Sequence, residues 1–278
     1  MKFIFIADFF VDQVLGGGEL NNEEVINQLI EKNHTVAKVN SHIVTPKLIN
    51  DNKDTKYIVS NFVNLSPSCR EVLMEKCDYV IYEHDHKYLK TRNPAVYENY
   101  KAPQSEIINL DFYANANATF CQSSFHKSII ERNIDINNVI SLSGNLWSKD
   151  ALSIMSEMAK CDKKDVCSVM NSTIPHKNTK AAIQYCEVKN LNYELVSSNN
   201  YEMFLRSLGA NRKFIFFPLT PETLSRVAVE ARMMNMSVIV NKQIGAAYEP
   251  WFSLKGLDLI NEVEMMRERI PNTVAGAF

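Results

Sequence analysis

Short apolar runs alternate along this chain with segments whose apolar residues recur every three or four positions. That alternation predicts parallel strands joined by helices. Lys2–Ala7 reads as a first strand, and Glu19–Lys32 as the helix after it, with Val25, Ile26, Leu29 and Ile30 on one face. Further strands are predicted at Thr35–Asn40, Tyr57–Asn61, Asp78–Glu83, Ala118–Gln122 and Asn138–Leu142. Ser66 or Ser68 is placed to cap a helix to Lys76, with Pro67 near its first turn, and Ser123 or Ser124 a helix to Asn133. Ser143-Gly144-Asn145 breaks the pattern, and a polar stretch runs on to Asp165. A second series then begins with strand Val166–Met170, helix His176–Lys189 and strand Tyr193–Ser197. It continues with helix Asn200–Leu208, strand Lys213–Phe217, a helix opening near Glu222, strand Ser237–Val240 and a closing helix from Leu257 to Arg269. The expectation is two successive doubly wound α/β domains, 1–145 and 146–278, with a hinge in 143–155.

Composition narrows the function classes. The chain has 278 residues, 46% hydrophobic and 22% charged, as in soluble globular proteins of two ordinary domains. A formal net charge of -2 does not announce a nucleic-acid binder. Cys69, Cys77, Cys121, Cys161, Cys167 and Cys186 form no C-x-x-C pair and keep no zinc spacing with a histidine. They predict reduced thiols of an intracellular protein. Asp8 and Asp12 interrupt the apolar opening before a signal-peptide core forms, and no run is long enough to span a bilayer. The protein is expected to be cytoplasmic, with no transmembrane segment; its oligomeric state leaves no sequence signal.

The most informative stretch runs from Phe217 to Ala231. A proline-bracketed turn, Pro218-Leu219-Thr220-Pro221, joins a buried strand to a segment with Leu224, Val227, Ala228 and Ala231 at helical spacing. On that reading Glu222 lies in the first helical turn and Glu230 two turns later. Eight residues advance a helix by about 800°, so both carboxylates project toward the same side. A helix N-terminus attracts anions, and carboxylates beside it suit sugar or ribose hydroxyls. The pair alone also fits two surface carboxylates on a solvated face. Gly16-Gly17-Gly18-Glu19 opens the first helix and lets a ligand approach the backbone, or is simply a flexible helix start. His84-Asp85-His86 follows a strand whose carboxyl end faces the ligand edge of a doubly wound sheet; local hydrogen bonds would equally account for a loop histidine. No third ligand makes this a metal site.

Pro221-Glu222, followed by Glu230-Ala231, resembles the donor motif of the retaining GT-B glycosyltransferases of the glycogen-synthase and sucrose-synthase-like group. That pattern is a proline, a glutamate, seven residues and a second glutamate, usually followed by alanine. The resemblance implies a GT-B fold, two Rossmann-like domains facing each other across a cleft, the first on the acceptor side and the second binding a nucleotide-sugar. It implies that Glu222 and His84 meet the transferred sugar, Glu230 the ribose and Lys177 the donor diphosphate, with Glu222, His84 and Lys177 as the catalytic set. Gly16-Gly17-Gly18-Glu19 is similar to the group's Gly-Gly-x-Glu loop beside acceptor and donor diphosphate, which implies donor contacts at Gly17 and Gly18, and backbone N–H groups of Thr223, Leu224 and Ser225 would serve sugar and phosphate. Where the group has an arginine after the preceding strand, this chain has Asn171-Ser172-Thr173; Arg226 or Lys242 are the available substitutes.

The segment Glu83–Pro94 also looks like phage-encoded glycosyltransferases, some of which decorate hydroxylated DNA bases. This implies an acceptor side at Asp85, His86, Lys87 and Arg92, with Lys87, Lys90 and Arg92 as a phosphate-contacting patch. If phage-encoded, the protein would work in host cytoplasm. The implied reaction is retaining transfer from a nucleotide-diphosphate sugar, with a UDP-sugar expected. The acceptor is a hydroxyl of a cell-surface glycan or a modified DNA base, and no cofactor or metal is obligatory. The competing readings are a catalytically degenerate nucleotide-sugar-binding protein and a nucleotide-sugar epimerase-like enzyme.

Overall fold

A computed structural model describes residues 1–278, which fold as two compact units. The first comprises Met1–Leu146 and Met266–Phe278, the second Trp147–Met265. The strands in chain order are β1 (Lys2–Ala7), β2 (Thr35–Asn40), β3 (Lys56–Val59), β4 (Tyr79–Tyr82), β5 (Ala118–Cys121), β6 (Val139–Ser141), β7 (Lys164–Met170), β8 (Tyr193–Val196), β9 (Asn211–Phe216) and β10 (Ser237–Val240). The α-helices are α1 (Gly17–Glu31), α2 (Pro46–Asp51), α3 (Pro67–Lys76), α4 (Leu110–Ala114), α5 (Ser124–Asn133), α6 (Lys149–Lys160), α7 (Thr179–Val188), α8 (Tyr201–Gly209), α9 (Arg226–Met233) and α10 (Gly256–Ala275).

In the first unit six parallel strands lie in the order β2-β1-β3-β4-β5-β6. In the second, four parallel strands lie in the order β10-β9-β7-β8. Strands covered on both faces read as continuous apolar runs, which is why Phe3 to Ala7 and Tyr79 to Tyr82 are buried throughout. In both units the loops after the strands gather at one edge, where ligands bind in such sheets.

Local sequence sets the helix starts. Ser66, Ser123 and Ser148 each accept a hydrogen bond from a backbone N–H in the first turn of α3, α5 and α6. The stretch expected to be a polar connection from Ser143 to Asp165 therefore contains a helix, α6, whose Ala151, Leu152, Met155 and Met158 are buried. The closing helix also differs from expectation. It runs on to Ala275, and residues from Met266 onward belong to the first unit. There Arg267 bonds the buried Glu24 of α1 at 2.5 Å, and the Phe278 ring lies 5.5 Å from that of Phe3. All six cysteines are free, and Cys69, Cys121, Cys167 and Cys186 are buried. No helix is long and apolar enough to cross a membrane.

Candidate functional site

In the second unit the loops after β7, β9 and β10 are sewn together at the carboxyl edge of the sheet. Asn178, in left-handed conformation, donates from Nδ2 to the carbonyl of Phe217 at 2.9 Å, and Leu219 N–H donates to His176 at 2.8 Å. The segment after β9 then runs parallel to the one after β10. Glu222 N–H donates to Gln243, and Gly245 N–H to Glu222. Glu222 is thus in extended backbone, and α9 starts only at Arg226. The expectation that Glu222 occupies the first turn of the helix is corrected: Pro221 and the pairing with residue 244 hold it in a strand-like bridge. The eight-residue helical rotation therefore does not relate the two glutamates.

The Lys177 ammonium lies in a single 3₁₀ turn, Pro175–Lys177, rather than in α7, and donates to Glu222 Oε1 at 2.7 Å. Both side chains are mostly covered, 23% and 15% exposed, so the charges meet where water screens them weakly. Burial, reinforced by the Lys177 charge, holds neighbouring His176 below its ordinary pKa.

Glu230 is buried inside α9. Its Oε1 accepts from Trp147 Nε1 at 2.9 Å and from the Tyr201 hydroxyl at 2.7 Å, and lies 3.6 Å from Arg226 Nε. The Arg226 guanidinium lies 4.3 Å from the centre of the Trp147 ring, a cation–π distance. Burial, together with the Glu230 charge, raises the Tyr201 phenol well above its ordinary range, so it donates at any physiological pH. These contacts converge on Oε1. Arg226, read from sequence as a substitute diphosphate contact, is instead buried and engaged with Glu230, Trp147 and Tyr201. The exposed Lys242 is then the remaining candidate for a second cation.

Ser225 precedes α9 with φ 74, a left-handed conformation costly for a non-glycine residue. Its buried hydroxyl has no partner and does not cap the helix. The first-turn N–H groups of α9 therefore lack the side-chain cap present on α3, α5, α6 and α8. Leu224 is buried and offers only its backbone, while Thr223 is half-buried.

In the first unit Gly17 opens α1, and a Cβ on Gly18 would sit 3.5 Å from the His84 ring. His84 follows β4 and is half-buried. Its Nε2 is 2.6 Å from Asn22 Oδ1, and its Nδ1 meets Gln122 Nε2. The acceptor-side assignments fare differently. Lys87 is buried, its ammonium bonded to Glu83 and, at 2.6 Å, to Asp85, so it is not part of a phosphate-contacting patch. His86 is also buried, its Nδ1 2.8 Å from the Tyr88 hydroxyl, and burial pushes its pKa down to about 4. Both are corrected from acceptor contacts to interior residues. Asp85 is half-buried, and Arg92 is exposed with NH1 3.4 Å from Asp85. Burial pushes the Glu83 carboxyl up to about 7. Burial acts on Asp85 in the same sense, but the Lys87 charge and hydrogen bonds outweigh it and hold Asp85 well below the usual range.

No family model and no curated protein matches this sequence. Solved structures do match the fold. Anabaena HepE in complex with UDP and glucose is 12% identical with a TM-score of 0.59, over 100% of this chain and 92% of that one. The catalytic domain of Arabidopsis thaliana starch synthase IV, bound to ADP and acarbose, is 8% identical with a TM-score of 0.57, over 98% and 95%. An alpha-glucosyltransferase in complex with UDP and a DNA containing a HMU base is 11% identical with a TM-score of 0.52, over 99% and 90%. Identities this low carry the fold alone: the chain has the α/β fold of the GT-B glycosyltransferases.

Proposed function

We propose that the protein is a retaining glycosyltransferase that moves a sugar from a nucleotide-diphosphate sugar, a UDP-sugar by preference, to a hydroxyl acceptor. One observation carries the reading: the Lys177–Glu222 pair lies at the carboxyl edge of the second sheet, in a chain that also has an uncapped α9 N-terminus and Glu230 on that helix. A diphosphate gains negative charge as the glycosidic bond breaks, and a fixed ammonium and oriented N–H groups stabilise that charge without reorganising. Lys177 and the start of α9 are assigned to the diphosphate, Glu222 to the sugar and Glu230 to the ribose. With positive charge supplied by these groups, no divalent metal is obligatory. The leaving diphosphate accepts the acceptor's proton on the face it departs from, which gives retention.

A glycan is the favoured acceptor class. The cations that suggested DNA are matched internally, Lys87 by Glu83 and Asp85, Arg92 by Asp85, and Lys90 by Glu106 at 3.8 Å. The second reading, a hydroxylated DNA base, is favoured by one fold neighbour whose complex contains UDP and such a DNA. The test is a thermal-shift screen of nucleotides and nucleotide-sugars, followed by mass spectrometry of glycan and hydroxymethylated DNA acceptors. Stabilisation by UDP or a UDP-sugar and a mass increment of one sugar is expected. Indifference to every nucleotide would refute the proposal; binding without transfer to either acceptor class would favour a degenerate binder.

A further inference from the structure

Five polar side chains cross the carboxyl edge of the first sheet in one hydrogen-bonded chain. Ser60 Oγ, after β3, donates to Asn22 Oδ1 at 3.1 Å; Asn22 meets His84 after β4; His84 meets Gln122 after β5; and Gln122 Oε1 accepts from Asn145 Nδ2 at 3.0 Å. Ser60, Asn22, Gln122 and Asn145 are each at least nine-tenths buried. The direction of every bond follows from one group that cannot reverse. Gln122 Nε2 also lies 3.4 Å from the backbone carbonyl of Glu83, and a carbonyl only accepts. The amide nitrogen of Gln122 must therefore face that carbonyl, and the same nitrogen meets His84 Nδ1. Nδ1 is then an acceptor. A neutral ring with an acceptor Nδ1 carries its proton on Nε2, which donates to Asn22 Oδ1. Protonating Nδ1 would set its N–H against the Gln122 amide donor.

We infer that Gln122 and Asn22 are positioning residues that lock His84 in the neutral Nε2–H tautomer, so that the ring meets the transferred sugar as a fixed surface and takes no proton in the reaction. This rests on the proposed function only for what His84 touches; the lock itself is a property of the unliganded protein. It gives His84, which the sequence placed in the catalytic set as a contact of the transferred sugar, a role of shape without proton transfer. The acceptor's proton must then leave by another route, in keeping with the departing diphosphate as base.

The test is side-chain nitrogen NMR of the histidines in the full-length nitrogen-15-labelled protein, with the His84 signals assigned by their loss in His84→Gln. The expected wild-type result is one tautomer, Nδ1 bare and Nε2 protonated, between about pH 5.5 and 8.5. Gln122→Met, which keeps volume and removes the donor, should release Nδ1 and let the ring titrate near the ordinary value of about 6.5. Gln122→Glu, a second variant, places a carboxylate opposite Nδ1 and should raise proton affinity about tenfold or more over the Met variant. In parallel, the pH profile of kcat/KM for UDP-glucose should gain in Gln122→Met an acid-side limb that wild type lacks. A wild-type His84 that titrates near its ordinary value, or that mixes tautomers, overturns the inference, as does a Met variant with unchanged His84 signals. Should no nucleotide-sugar turn over, the proposed function fails while the NMR result still decides the lock.

Discussion

Replacing Glu230 separates stability from binding in a way the geometry predicts in magnitude. Glu230→Ala removes the acceptor shared by Trp147 Nε1 and Tyr201 OH and the counter-charge nearest Arg226. A buried donor left unpaired costs about 1–3 kcal/mol, and breaking a buried charge pair about 3–5 kcal/mol. Because all three contacts use one oxygen they do not add, and a total of about 4 kcal/mol is expected. For a unit of this size that is roughly 10–20 °C in Tm. Glu230→Gln leaves an oxygen in the same place, so Trp147 and Tyr201 keep their acceptor and the cost falls to about 1–2 kcal/mol. The ribose loses a charge-assisted acceptor in both variants, and UDP should bind roughly tenfold more weakly to the Gln protein. Urea and thermal unfolding, with calorimetric titration of UDP, read the two effects separately. An Ala variant within about 1 kcal/mol of the parent would refute the argument that Oε1 organises this region. A Gln variant with undiminished UDP affinity would remove the ribose assignment.

Further consequences can be measured directly. Lys177→Met should lower turnover by about 2–4 kcal/mol in barrier, and it should cost about 1–3 kcal/mol of stability because Glu222 loses its partner; unchanged kcat would dissociate Lys177 from the leaving group. Ser225→Gly should stabilise the second unit by about 1 kcal/mol, since it relieves left-handed strain and deletes an unpaired hydroxyl; a loss of stability in urea would contradict that. Transfer should proceed with retained anomeric configuration in excess chelator; an inverted product by NMR, or activity restored only by magnesium or manganese, would sink the mechanism. His86 has a native pKa of about 4, below its unfolded value, so the unfolded chain binds the extra proton and stability falls as pH drops from about 6.5 toward 4. His86→Leu should reduce that acid sensitivity by up to about 1.4 kcal/mol per pH unit, read from urea midpoints at several pH values; parallel pH curves for the two proteins would refute it.

Local signals are legible wherever they are strong. β1, β2 and β10 have the bounds their apolar runs predict, and Ser66 and Ser123 cap the helices expected of them. The helix α6 hides in a stretch dominated by polar residues, although Ser148 as cap, Asp150 in the first turn and Ala151, Leu152 and Met155 along one face all mark it. The start of α9 is misleading in sequence because Leu224 is buried ahead of the helix yet falls at helical spacing from Val227 and Ala228. Partners distant in sequence cannot be read at all: nothing local pairs Glu230 with Trp147, 83 residues away, or Lys177 with Glu222. The interior position of Lys87 does have a local signal. Glu83, Asp85 and Lys87 alternate along the segment leaving β4, a pattern that lets two carboxylates reach one ammonium.

The return of residues 266–278 to the first unit has a consequence for biosynthesis. A ribosome delivers residues 1–146 before 147–265, and Arg267, Glu268 and Phe278, which engage Glu24, Lys32 and Phe3, follow only after both. The first unit is therefore completed only after all of the second has been made. Until then Phe3 of β1 lacks the Phe278 ring and the buried carboxylate of Glu24 lacks its Arg267 counter-charge, while the second unit, a continuous stretch of chain, already has all its residues. Chaperone dependence during translation should therefore fall on the first unit, and truncation before Met266 would leave that unit without Arg267, Glu268 and Phe278.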